Sequence, residues 1–139
     1  MNTIHPNVAV LQQFNPNNIS ASINIIAEDI IFHYYNPMLP DMHGDYLGKE
    51  GFMEFFGKIA GQTKGTFKVT PLSITPMGNE LVVTHVKDSM TLDGQQLVID
   101  AVVVWRILDG KIKEAWDIPA VYTAETINKN NSTHTKQKE

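Results

Sequence analysis

Residues 80–120 read ELVVTHVKDSMTL-DG-QQLVIDAVVVWRIL-DG-KIKEAWDIPA. Two Asp-Gly pairs, Asp93-Gly94 and Asp109-Gly110, each separate runs rich in Val, Ile, Leu and Trp. Asp-Gly between apolar runs is a strong hairpin signal, because the tight turn needs positive φ at both central residues. The stretch therefore predicts three consecutive antiparallel strands. The middle one, Val98 to Leu108, is apolar except at Asp100 and Arg106. A strand with one wet face should alternate. This one is therefore expected to be covered on both faces, by helices on one side and a second copy of the chain on the other.

Two registers are open. Two-residue turns would place His85 opposite Val102, and Val102 opposite Asp117. Three-residue loops with a G1 bulge would place His85 opposite Ala101, and Ala101 opposite Asp117. Either way His85 and Asp117 share a face, two strand spacings or about 10 Å apart. They separate only if the two turns differ. The bulged register is preferred, because it gathers Ala101, Val103, Ala115 and Asp117 on one side and leaves room there for a ligand. Arg106, Glu114 and Trp116 then lie on the outer face.

Outward from this stretch, residues 7–14 predict a short amphipathic helix ended by Pro16. Ile19, Ile23, Ile26 and Ile30 recur at helical spacing and predict a second helix. IIFHYY (30–35) reads as a strand, and NPMLPDMHGDY as a turn-rich loop. From Gly48, the pattern GKEGFMEFFGKIAG places Phe52, Phe55, Phe56 and Ile59 on one helical face, with Gly61 as the stop. Thr66 to Thr75 predicts a strand, which Pro71 and Pro76 mark as an edge or a bulge. The polar, aperiodic residues 125–139 predict a disordered tail after a single domain over 1–124. Helices segregated from an antiparallel sheet make the fold class α+β. The expected architecture is a curved, mostly antiparallel sheet with the N-terminal helices and one mid-chain helix on its concave face, forming a cone-shaped pocket.

At 139 residues the chain can bury a real core. Its formal net charge is −4 and its basic residues are scattered, which argues against nucleic acid or a membrane surface as partner. With no cysteine there is no thiolate nucleophile and no Cys-based metal site. His33, His43 and His85 lack a metal-ligand spacing, so neither a metal nor another cofactor is expected. The start MNTIHPNVAV has no signal-peptide pattern, and a cytoplasmic location is expected.

Three segments together resemble the SnoaL-like branch of the nuclear-transport-factor-2-like superfamily. YYNPMLP (34–40) with LGKEGFMEFF (47–56) resembles its Asn-Pro loop and Gly-led helix. ELVVTHVKDS (80–89) resembles a strand in which that branch often carries a histidine. VWRILDGKIKEAWDIPA (104–120) resembles its closing hairpin, although Tyr35 and Ala115 stand where the pattern has histidines. The resemblance implies a cone with a small-molecule pocket, and a branch that includes cyclases, isomerases and hydrolases.

Ketosteroid isomerase members use two carboxyl groups and a tyrosine; here Asn36, Val103 and Gln12 or Phe14 stand in those places, which excludes that chemistry. Limonene-type epoxide hydrolases position water with a tyrosine, an asparagine and an aspartate. Tyr34, Asn36 and Asp117 fall on those positions, Asp88 falls on the acid of an Arg–Asp pair, and Val86 replaces the arginine. The expected function is a cofactor-independent acid/base enzyme acting on a small, mostly apolar carbonyl, polyketide-like or epoxide substrate. Asp117 is the expected base, His85 the acid, and Asn36 and Tyr34 the hydrogen-bonding groups. Ala101, Val103, Ala115, Trp105, Phe52 and Phe56 are the expected ligand-lining residues. The alternatives are a non-catalytic module that binds a hydrophobic ligand, and a dimerisation domain whose cone is filled by Phe52, Phe56 and Trp105. A homodimer through the outer sheet face is expected in each case.

Overall fold

Both Asp-Gly pairs form two-residue turns. Asp93 and Gly94 have φ of 50° and 80°, and Asp109 and Gly110 have 54° and 75°, the left-handed pair that a type I′ turn requires. They join β4 (Leu81–Leu92), β5 (Gln95–Leu108) and β6 (Lys111–Pro119). The structure, a computed structural model, describes residues 4–127. Ahead of these strands come α1 (Pro6–Gln12), a 3₁₀ segment (Ile19–Ile25), β1 (Ile26–Tyr34), a 3₁₀ turn (Pro40–Met42), β2 (Gly44–Leu47), α2 (Gly48–Gln62) and β3 (Lys68–Met77). The sheet runs β2-β1-β6-β5-β4-β3, and β7 (Glu125–Ile127) pairs with β5. All pairings are antiparallel except β1 with β6, which is parallel. The fold is thus the α+β cone that the sequence predicts.

Several elements depart from the reading above. The helix expected through Ile19, Ile23, Ile26 and Ile30 is a 3₁₀ segment that gives way to β1 at Ile26. β-branched isoleucines pack well on a pleated surface, and Ile26 and Ile30 are buried from the strand instead of from a helix. The turn-rich loop contains β2, and Leu39 and Met42 turn inward to plug the core. The tail boundary at 125 falls inside β7; residues 128–139 lie outside the described residues. β3 is an edge strand, as its prolines predict, and it carries an irregularity between Pro71 and Ser73.

The helices pack on the concave face. α2 buries Phe52, Phe55 and Ile59. Phe55 sits 4.6 Å from Phe32 and 4.7 Å from Tyr34, ring centre to ring centre, and Phe52 meets Phe32 edge-on at 5.3 Å. Tilted and edge-on contacts are the favoured geometries for such rings. Phe14, just past α1, closes the layer by resting on Trp105 at 5.1 Å. A side chain on Gly51 would come within 3.0 Å of the Tyr46 backbone, so glycine lets α2 lie close against β2. No helix among the described residues is long and apolar enough to cross a membrane.

Candidate functional site

The two hairpins differ by one residue, and that difference decides which side chains meet. β4 pairs with β5 without interruption from Leu92↔Gln95 to Leu81↔Arg106. β6 pairs with β5 as Leu108↔Lys111 and Ile107↔Ile112, then slips, so that Arg106 faces Glu114. Lys113 is the extra residue of a bulge, which shifts every later pair by one. Thr84, Val103 and Asp117 consequently lie in one row, and His85, Val102 and Ile118 in the next. Because the side-chain period is two, adjacent rows face opposite sides.

His85 is therefore not beside Asp117. It lies on the outer face, half-exposed, where its Nε2 donates to Asp100 Oδ1 at 2.7 Å. Lys87 holds the other oxygen of Asp100 at 3.2 Å. These bonds keep the Asp100 carboxyl below the usual carboxylate range. The expected pairing of His85 with Asp117 fails because one hairpin carries a bulge and the other does not.

The inner face collects a different set. β4 contributes Thr84, Val86 and Asp88; β5 contributes Ala101, Val103 and Trp105; β6 contributes Ala115 and Asp117. Ala101, Val103, Trp105 and Ala115 are all buried there, the side on which the sequence places them. Tyr34 enters from β1, directly beside Asp117 in the parallel register. Asn36 follows and is 2% exposed. Its Nδ2 donates to the Tyr34 hydroxyl oxygen at 2.9 Å, and its Oδ1 accepts the Met38 N–H at 2.8 Å. Asn-Pro thus serves both as a turn opener and as a donor to the phenol, whose own proton is left for another acceptor. Trp105 Nε1 donates to Thr84 Oγ1 at 3.0 Å.

Asp117 and Asp88 dominate the electrostatics. Oδ1 of Asp117 is buried and has no hydrogen-bond partner among the described residues. An unpartnered buried acceptor is costly, and the ionised form more so. Burial, and then the neighbouring Asp88 charge, raise Asp117 well above the usual carboxylate range. Burial likewise pushes Asp88 up to about 7. Tyr34 is raised by burial and by the Asp117 charge. Two like groups this strongly coupled cannot both ionise freely, so near neutral pH the pair tends to keep one proton. Asp88, placed from the sequence only by resemblance on the acid of an Arg–Asp pair, is the member that the expected catalytic set lacks. Burial alternates strictly along β4, and Asp88 falls in line with its buried residues Val82, Thr84 and Val86.

Two concavities flank these residues. One of about 340 Å³ opens between α1 and β3–β4, lined by Leu11, Phe14, Ile74, Thr84 and Val86. The larger, about 670 Å³, lies on the outer face over His33, Tyr35, Val104, Arg106 and Trp116, and borders Tyr34 and Asp117 where β1 and β6 end. Tyr34 and Asp117 line the larger one; the inner one reaches neither carboxyl, although its Thr84 and Val86 share the face of Asp88. Phe52 is sealed inside the aromatic layer, and Phe56 lines a separate surface groove with Met53 and Gly57. No cluster of three or more metal-ligating side chains occurs among the described residues.

Residues 8–115 match the SnoaL-like domain family. The chain belongs to that family. The SnoaL-like fold recurs in solved structures. TerC, co-crystallised with polyporic acid, shares 21% identity at a TM-score of 0.71, covering 84% of this chain and 93% of its own. A cystatin-like-fold protein from Xanthomonas campestris shares 25% identity at a TM-score of 0.69, covering 86% and 92%. An NTF2-like protein from Burkholderia pseudomallei K96243 shares 16% at 0.71, covering 82% and 90%. No curated protein matches the chain. The family includes isomerases and polyketide cyclases.

Proposed function

We propose that this SnoaL-like chain is a cofactor-independent acid/base enzyme acting on a small, mostly apolar carbonyl, polyketide-like or epoxide substrate. The observation that carries this reading is the unpartnered Oδ1 of Asp117, buried beside Tyr34 and coupled to Asp88 on an otherwise apolar inner face. Polar groups converging on an apolar concavity are what a small-molecule site needs. A carboxylate with a pKa near 7 is suited to take a proton at neutral pH, and a carboxyl held protonated is suited to give one. Asp88 accordingly acts as base, breaking a C–H bond next to the carbonyl. Asp117 delivers its proton to the developing oxyanion, and Tyr34 with Asn36 donates hydrogen bonds to that oxygen. On an epoxide, the same base accepts a proton from water as its oxygen attacks the ring carbon, while Asp117 protonates the departing oxygen. His85 has no part in either step.

The experiment is α-proton exchange from D₂O, and epoxide hydrolysis, across a panel of small cyclic ketones, polyketide-like diketones and epoxides. Wild type and His85→Ala should turn over one class equally. Asp117→Asn and Asp88→Asn should each lose roughly a hundredfold or more. Equal rates in all four proteins would remove the acid/base reading. The apolar lining of the inner groove by Leu11, Phe14 and Ile74 favours a second reading, retention of a hydrophobic ligand without chemistry. A ligand held through native mass spectrometry, with no turnover on the panel, would select it. The proposal includes self-association through the outer face, where Val102 and Ile118 are exposed.

A further inference from the structure

The segment that carries Asn36 is tied down on the outer face by two histidines whose hydrogen bonds demand opposite protonation states. His33, on β1, lies between two carboxylates: Nδ1 is 2.7 Å from Asp45 Oδ1 on β2, and Nε2 is 2.7 Å from Glu114 Oε2 on β6. An ionised carboxylate only accepts, so both ring nitrogens must carry protons and the ring is an imidazolium. Trp116 of β6 stacks on it at 5.3 Å and 19°. Arg106 of β5 lies over Trp116, pairs with Glu114 through Nε at 3.1 Å, and also meets Glu80 ahead of β4.

His43, just before β2, works the other way. Its Nδ1 accepts the Asn36 N–H at 2.9 Å, so that nitrogen must be bare. The ring stacks on Tyr35 at 4.4 Å and 6°. Asp45 of β2 and Glu50, Glu54 and Lys58 of α2 face it across a surface groove.

We propose that His33 and His43 form a proton-sensitive clasp that holds the segment from Tyr34 to Asp45 in place only while His33 is charged and His43 is neutral. As pH rises, His33 loses a proton and one ring nitrogen becomes an acceptor facing a carboxylate. That change replaces an attraction by a repulsion, so the clasp has an alkaline limb. Burial opposes the charge on His33, but the bonds to Glu114 and Asp45 outweigh it and raise the group above 6.5. For a raised histidine, the stabilisation is complete below the ordinary value and is lost as pH rises through the folded one. The alkaline limb therefore lies above the ordinary imidazole range. Both histidines are positioning residues, and the clasp stands whether or not the inner face is catalytic.

The test uses the full chain with ¹⁵N-labelled histidine. Long-range ¹H–¹⁵N spectra should show both nitrogens of His33 protonated at neutral pH and Nδ1 of His43 unprotonated. Amide exchange of residues 44–47, corrected for its intrinsic pH dependence, should be roughly tenfold faster once His33 has lost its proton than at neutral pH. His33→Gln should remove this alkaline limb. A singly protonated His33 at neutral pH, or an exchange profile that His33→Gln leaves unaltered, would overturn the proposal. If a variant does not fold, the ring protonation states of the wild type decide alone.

Discussion

Replacing Asp88 by Asn should make the protein more stable, and increasingly so as pH rises. In the unfolded chain this carboxyl ionises near its ordinary 3.8, whereas in the folded protein burial delays ionisation until about 7. The folded state thus holds a proton that the unfolded state has released, and folding weakens as pH climbs between those values. The sign is the reverse of a salt-bridged aspartate. Each pKa unit corresponds to about 1.4 kcal/mol. Linkage across the interval then puts the wild-type deficit at about 1 kcal/mol at pH 4.5, about 3 at pH 6 and about 4 at pH 8. Asn carries no charge and removes this pH-dependent part. Any cost of placing its amide there is the same at every pH and cancels from the slope. Relief of Asp117, whose proton Asp88 disturbs, adds to the effect. Urea unfolding followed by tryptophan fluorescence at the three pH values measures it directly. The gain of Asp88→Asn over wild type should grow by about 3 kcal/mol from pH 4.5 to pH 8. A gain that stays flat or shrinks over that range would show that Asp88 is ionised without penalty, and the shared-proton argument would fall with it.

Phe32→Ala should cost about 3–5 kcal/mol in the same urea assay, because Phe32 is 2% exposed and its ring meets five others on the concave face; a loss under about 1 kcal/mol would mean the aromatic layer is loosely packed. Tyr34→Phe keeps the ring and deletes the hydroxyl that accepts from Asn36, so it should lower turnover on the active class by roughly tenfold to a hundredfold and, by leaving the buried Asn36 Nδ2 unpaired, cost about 1–3 kcal/mol of stability. Unaltered turnover would take Tyr34 out of the site. Light scattering at micromolar concentration should give twice the chain mass, and Ile118→Lys should return it to one, since Ile118 is 57% exposed on the apolar outer face. A wild type that is already monomeric contradicts the dimer.

The cone itself was legible because its signals are local. Asp-Gly pairs specify type I′ turns through positive φ, prolines in β3 specify an edge, and Phe52, Phe55 and Ile59 repeat at the spacing of a helix face. The N-terminal isoleucines misled because four β-branched residues at helical spacing also fit a 3₁₀ turn running into a strand. Local preference cannot separate those outcomes. The parallel pairing of β1 with β6, which joins segments some eighty residues apart, separates them.

The site was only half legible, and the reason is a parity argument. Which face a strand residue takes depends on the count of residues back to the turn, so one inserted residue inverts every assignment beyond it. Identical Asp-Gly turns suggested identical hairpins, and both turns are indeed alike. The bulge sits instead three residues past the second turn, at Lys113, where no glycine marks it. Its trace in the sequence is the pair of polar residues Lys113-Glu114 between Ile112 and Ala115, a break in the alternation that β4 keeps without fault. Counting through that break carries Asp117 inward next to Tyr34, leaves His85 outward on Asp100, and makes Asp88 the carboxyl that Asp117 senses. The chemistry proposed for this protein therefore turns on one extra residue in β6. Deleting Lys113 alone should remove the bulge and keep Val103 opposite Asp117, so turnover should persist; deleting Lys113 and Glu114 together should swing Asp117 to the outer face and bring Trp116 inward, and turnover should vanish even though no inner-face side chain has been changed.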